Sequence, residues 1–272
     1  MISGKIGFIG AGKMASAIAQ GVVRAGVAKA GQISASARTE QTLAQLSESI
    51  PGVETTKSNT AVAEQSDLLI LSIKPQVMAT VLPEIRSAVR PQTLVVSVAA
   101  GVTLEHLAKA FKRGVRLVRV MPNTPCLIGK GACAFALGEH ATEDDARLVE
   151  TLLGAVGEAY PVPEHQLDAV TGVSGSGPAY VYTVIEAIAD AGVRAGLPRA
   201  VAAQLAARTV AGAAEMVIST GKHPAVLRDE VVSPGGTTAA GLAALERCGV
   251  RHALAEAVTA ATERSRELGQ SS

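Results

Sequence analysis

The chain has 272 residues, 48% of them apolar and 18% charged, with a formal net charge of +1. That composition builds a packed core rather than a disordered chain, and so balanced a charge leaves no electrostatic footprint for nucleic acid or an anionic membrane surface. Aromatic residues are 2% with no Trp, so the core must be Ala, Val, Leu and Ile in close packing.

In chain order, the first expected element is a strand over KIGFI (5–9). It runs directly into Gly10-Ala11-Gly12-Lys13-Met14-Ala15 and the helical pattern MASAIAQGVVRAG. This is a GxGxxA turn between strand and helix. Gly10 suits the tight turn, Gly12 lets a pyrophosphate approach the backbone, and Ala15 lets helix and strand pack closely. The helix N-terminus then faces the phosphates. A second strand, QISAS (32–36), ends in Ala37-Arg38-Thr39, without the carboxylate that usually takes the ribose 2′-hydroxyl of NAD. Ser36, Arg38 and Thr39 would welcome a 2′-phosphate, so NADPH is the preferred cofactor and NADH stays open. Alternatively, Arg38 is solvated and leads into a helix.

Three further strands are DLLILSI (67–73), TLVVSVAA (93–100) and VRLVRVMP (115–122). Strands apolar throughout suit a parallel sheet covered on both faces, and their alternation with helices gives a doubly wound α/β domain of the Rossmann kind. Ligands bind at the carboxyl ends of such strands, so Ser72-Ile73-Lys74-Pro75 and Ala99-Ala100-Gly101 should line the cofactor crevice. Lys74 is a candidate general acid, a cofactor contact, or simply the start of a helix. Weaker strands at ACAFAL (132–137) and EAYPV (158–162) bracket a helix that Thr142 can cap, with Glu143, Asp144 and Asp145 in its first turn.

After Pro163 no strand pattern recurs. Helices are expected near 178–195, 199–219 and 251–268. Glu186, Asp190 and Arg194 form one narrow polar stripe on the first, and Gln204, Arg208 and Glu215 do much the same on the second. Helices apolar nearly all round must be covered nearly all round, by a second copy or by the sheet domain. A homodimer built by the C-terminal part is the expectation. The expected domains are thus 1–162, dinucleotide-binding, and 163–272, all-helical, for substrate and dimerisation.

The remaining chemistry is sparse. Cys126, Cys133 and Cys248 share no CxxC spacing and read as free thiols of a reducing compartment. No signal-peptide pattern opens the chain, and no uncharged apolar run is long enough to span a membrane, so a cytoplasmic protein is expected. The five histidines are scattered, which supports no metal site. Glu164 and Asp168 could share a helix face, a spacing at which carboxylates are usually solvated. A hydride cofactor without an evident acid–base pair suits a protonated imine better than a ketone, because the imine already carries its proton and positive charge.

With these residues in view, the chain resembles the Δ1-pyrroline-5-carboxylate reductase family over essentially its whole length. The likeness rests on IGFIGAGKMA, SIKP (72–75), VSVAAGVT (96–103), RVMPNTP (119–125), DAVTGVSGSGPAY (168–180) and LRDEVVSPGGTTAAGLAALE (227–246). It implies a Rossmann domain followed by an all-helical domain that interlocks into dimers, which in some members assemble into decamers. It also implies reduction of 1-pyrroline-5-carboxylate to L-proline with NADPH or NADH. By the same resemblance Ile9, Gly10, Ala11, Gly12, Lys13, Met14, Asn59, Ser72, Ile73, Lys74, Pro75, Ala99, Ala100 and Gly101 would contact the cofactor. Asn123 joins them, in the Met121–Pro125 segment expected beside the nicotinamide. Ser233, Gly235, Gly236, Thr237 and Thr238 would hold the substrate. Ala37 departs from the Ser or Asn common there, which leaves the NADPH preference open. Cys126 reads as packing, with no nearby base to activate it.

The mechanism expected has backbone N–H groups around Gly235–Thr237 catching the substrate carboxylate. The Thr238 hydroxyl contacts the ring nitrogen and sets the imine carbon for reduction. Ser176 is expected to cap a helix ahead of Pro178. A β-hydroxyacid dehydrogenase of similar layout would need a lysine in its second domain, and residues 163–217 contain none. A non-catalytic dinucleotide-binding protein would have no reason to keep SPGGTT intact.

Overall fold

The computed structural model describes residues Ile2 to Gln270. Its strands are β1 (Ile6–Ile9), β2 (Ile33–Ser36), β3 (Glu54–Thr56), β4 (Leu68–Leu71), β5 (Leu94–Ser97), β6 (Arg116–Met121), β7 (Gly131–Leu137) and β8 (Gly157–Pro161). Its helices are α1 (Lys13–Arg24), α2 (Glu40–Ser49), α3 (Asn59–Gln65), α4 (Pro75–Ile85), α5 (Leu104–Ala110), α6 (Glu143–Gly154) and α7 (Leu167–Val170). They continue as α8 (Gly177–Arg194), α9 (Arg199–Thr220), α10 (Pro224–Glu230), α11 (Thr237–Arg247) and α12 (Val250–Gln270). The chain forms two compact units. One runs to Ser176 and takes in the chain again from Thr259; the other is Gly177–Val258.

The first unit is built on one sheet of order β3-β2-β1-β4-β5-β6-β7-β8. All neighbours are parallel except β6 and β7. The order reverses between β1 and β4, which is where a doubly wound sheet opens a crevice beyond its strand ends. The residues of β4 show why the sheet is covered twice. Leu68 and Ile70 belong to the core on one face, with Ile6, Phe8 and Ile18, while Leu69 and Leu71 belong to the other, with Ile9, Leu82 and Ile85. A strand apolar at every position can bury them all only between two helical layers. The edge strand β3 escapes a reading based on apolar runs because Glu54-Thr55-Thr56 has none; its side chains are exposed or half-buried. The Thr142 cap forms as expected: its hydroxyl accepts from the Asp145 N–H, and the Asp145 carboxylate accepts back from the Thr142 N–H.

Two expectations change. Glu164 and Asp168 are not solvated carboxylates. Glu164 accepts from the Leu104 N–H at 2.7 Å and from buried Arg119 at 3.1 Å. Asp168 lies 3.9 Å from the same guanidinium and accepts from the Ser265 hydroxyl at 2.7 Å. The cation of β6 must be neutralised where it is buried, and these two carboxylates do so. The expected cap at Ser176 does not form either. Its backbone is helical, at φ −88° and ψ −22°, and its N–H donates to the Thr171 carbonyl across a π-helical turn, Thr171–Gly175.

The second unit is helical. Its buried core is small, Ala189, Ala202 and Ala206 with Ile185 and Val193 packed against them. Large apolar side chains stay open instead: Tyr182, Leu205, Met216 and Ile218 are 62%, 53%, 50% and 67% exposed. Among the described residues, α9 is the one helix long and apolar enough to cross a membrane by length and composition.

Candidate active site

The crevice at the β1–β4 reversal is framed by helix starts. Three of them, α2, α3 and α5, each begin at a Ser or Thr whose hydroxyl accepts a first-turn N–H. α1 and α4 do not: their N-caps are Gly12 and Lys74, with no side-chain cap. The first-turn N–H groups of α1 are therefore left for another acceptor, and no acidic residue sits in that turn to repel an anion. Pro75 stands in the first turn of α4, where a missing N–H costs nothing.

The glycine turn fits a dinucleotide. Gly10 has φ +95°, and a Cβ there would stand 2.8 Å from the Ser72 carbonyl oxygen. Above Gly12 no heavy atom lies within 4 Å of a Cβ position, so the loop keeps open space where a pyrophosphate would approach the backbone. The floor is tied down. The Ser72 hydroxyl reaches the Ile9 and Gly10 carbonyls at 3.1 and 2.7 Å, and the Gly10 N–H donates to the Ser36 carbonyl at 3.0 Å. Ile9 and Ala11 are buried beneath, Met14 is half-buried, and Lys13 and Lys74 are exposed. Ile73 packs over Gly10. Ala99 is buried, Ala100 is exposed, and Gly101, at φ +76°, lies close to Leu268 of α12.

Two residues expected at the cofactor are placed differently. Ser36 is fully buried, and its hydroxyl donates to Asn59 Oδ1 at 2.7 Å, so it offers nothing directly to a 2′-phosphate. Ser36 ends β2, whose residues are buried on both faces, whereas Arg38, past the end of the strand, is exposed and makes no ion pair among the described residues. Thr39 caps α2. Asn123 is buried as well. Its Nδ2 donates to the Ser174 carbonyl at 3.1 Å and its Oδ1 accepts from the Ala132 N–H at 3.0 Å. That amide is committed to the backbone, tying the Asn123–Pro125 turn to β7 and the π-helical turn. Gly175 in that turn lies against Met121, where a Cβ would stand 2.5 Å from the methionine methyl.

Cys126 and Cys133 form a pair that their spacing conceals. Both are buried, with sulfurs 3.5 Å apart. The Cys133 thiol, donating to its neighbour, draws the Cys126 pKa down to about 7, and the thiolate beside it pushes Cys133 up.

In the second unit, Ser233–Thr238 leads into α11. Gly235 has φ +66°, which the turn grants only to glycine without strain, and a Cβ on Gly236 would press on the Ser233 hydroxyl. Gly236 is the N-cap of α11 and supplies no side-chain cap. The first N–H groups of this helix are thus also left for an acceptor. Thr237 is exposed and Thr238 half-buried.

Residues 5–101 match the family model described as NADP oxidoreductase, coenzyme F420-dependent, and residues 164–268 match pyrroline-5-carboxylate reductase dimerisation. A pyrroline-5-carboxylate reductase of Arabidopsis thaliana is 49% identical over 267 residues, 98% of this chain and 96% of the relative. The chain belongs to the pyrroline-5-carboxylate reductase family. Solved structures of pyrroline-5-carboxylate reductases agree. That of Coxiella burnetii has a TM-score of 0.92 at 35% identity, covering 98% of this chain and 99% of the other. That of the Plasmodium falciparum enzyme, with NADP bound, has a TM-score of 0.88 at 32% identity, covering 99% of both. The first matched stretch spans β1 to the Ala99–Gly101 strand end, and the second spans α7 to most of α12.

Proposed function

We propose that the chain reduces 1-pyrroline-5-carboxylate to L-proline, with NADPH preferred and NADH accepted. One observation carries the cofactor half of this reading: at the β1–β4 reversal, the N-terminus of α1 lacks a side-chain cap beneath the open space above Gly12. The dinucleotide supplies the hydride when bound. The chain's part is to hold and orient. The N–H groups after Gly12 take the pyrophosphate. Arg38, exposed and without an ion pair among the described residues, is the cation offered to a 2′-phosphate. Ser72 and Asn123 hold the strand-end loops in place through the bonds given above.

Ser233, Gly235, Gly236 and Thr237 hold the substrate carboxylate at the start of α11, and Thr238 directs its hydroxyl to the ring nitrogen. No buried lysine or glutamate is needed, because the substrate brings both charges and burying another would cost several kcal/mol, on the order of the desolvation penalty of an ion. The working unit is a homodimer through α8 and α9, with decamers as the higher assembly, and the free thiols suit the cytoplasm. The test is NADPH oxidation by the purified chain with pyrroline-5-carboxylate, against a 2-ketoacid and a blank. Turnover with the imine alone supports the reading; turnover with the ketoacid instead overturns it.

A further inference from the structure

Asn59 opens α3 beside the end of β2, and its amide is held from both sides. Oδ1 accepts from the buried Ser36 hydroxyl at 2.7 Å, and Nδ2 donates to Glu84 Oε2 on α4 at 2.9 Å. The two holds differ in kind. A hydroxyl can donate or accept, so Ser36 would tolerate the amide either way round. An ionised carboxylate can only accept. Turning the Asn59 amide over would set its oxygen against the Glu84 oxygen, two acceptors face to face. Glu84 therefore decides the orientation, and Ser36 follows it. In that orientation one of the two Nδ2 hydrogens is spent on Glu84 and the other remains to be given.

The location makes this consequential. Ser36 carries the carbonyl that accepts from Gly10, so the Ser36–Asn59–Glu84 chain hangs from the glycine turn itself. Glu84 is exposed and serves neither core.

We propose that Glu84 is a positioning residue for the dinucleotide, fixing the Asn59 amide so that its remaining N–H faces the adenosine-ribose end of the crevice. This rests on the reading of the β2 end as the adenosine side of a dinucleotide site.

The experiment is calorimetric binding of NADP⁺ and of 2′,5′-ADP to the full-length protein, with no turnover involved. Glu84→Ala is expected to weaken both ligands about two- to tenfold, the range for one hydrogen bond. Its melting temperature should match the parent. Glu84→Gln, which keeps an acceptor for Asn59, should restore most of the affinity. In an Asn59→Ala background, Glu84→Ala should add nothing, because a residue acting only through Asn59 has no further route. Unchanged affinity in Glu84→Ala, while Asn59→Ala weakens binding, overturns the proposal and leaves the site reading intact. Additive losses also overturn it, since Glu84 would then act by itself. If Asn59→Ala binds both ligands like the parent, the placement of the adenosine end fails, and the proposal fails with it.

Discussion

The sheet unit and the helical unit bury their apolar residues by different means. In the sheet unit Ile70, Leu69 and Leu71 are all fully buried by the chain's own helices. In the helical unit three alanines make up the buried core, while Leu205 and Ile218 stand open on α9. The first arrangement is complete within one chain. The second is a half-interface: a helix so apolar and so bare is stable in water when another surface covers it, and the dimerisation match over residues 164–268 points to a second copy as that surface. By length and composition alone, α9 is also long and apolar enough to cross a membrane.

Charges on the open helix should break this contrast most strongly. Leu205→Glu with Ile218→Glu is expected to convert the assembled protein to monomers and abolish reductase activity, read by light scattering and by assay. An unchanged mass would show that these faces are not the interface. Gly10→Ala acts on the other unit. It forces a side chain onto a backbone at φ +95°, so NADP⁺ binding should weaken at least about tenfold from strain alone while the mass stays the same. Ile70→Ala should cost about 2–5 kcal/mol in denaturant unfolding as a cavity in a closed core. Leu205→Ala should instead lower the assembly constant, with little effect on the sheet. The smallest change is spectroscopic. The parent should show a thiolate absorbance step near pH 7, because Cys126 is lowered to about 7 by the Cys133 thiol; Cys133→Ala should move that step to higher pH.

How legible each part was in the sequence follows from what its signal depends on. Apolar runs such as LLIL, flanked by helical patterns, announce a doubly covered sheet because both faces of such strands must be buried. The GxGxxA turn is legible because backbone conformation alone demands its first glycine. β3 and the inward turn of Ser36 were not, since a polar edge strand and the facing of one hydroxyl depend on neighbours far along the chain. Asn123 has the residue type of a ligand contact yet is occupied by two backbone partners 9 and 51 residues away. Asn59 carries no local motif and enters through family resemblance; the closest hint is Ser58, which caps its helix. Cys126 and Cys133 meet only because a turn and a strand fold back on each other, and Gly131 leaves room for the sulfur.

The proposed function gives the dinucleotide to the sheet unit and the imine to the uncharged SPGGTT turn of the helical unit. Thr238→Ala tests it most directly, measured for both NADP⁺ affinity and kcat/KM on pyrroline-5-carboxylate. There kcat/KM is expected to fall about 100-fold, the scale for losing one hydrogen bond to the transition state, with NADP⁺ affinity unchanged. Unchanged turnover, or an equal loss in both quantities, would contradict it.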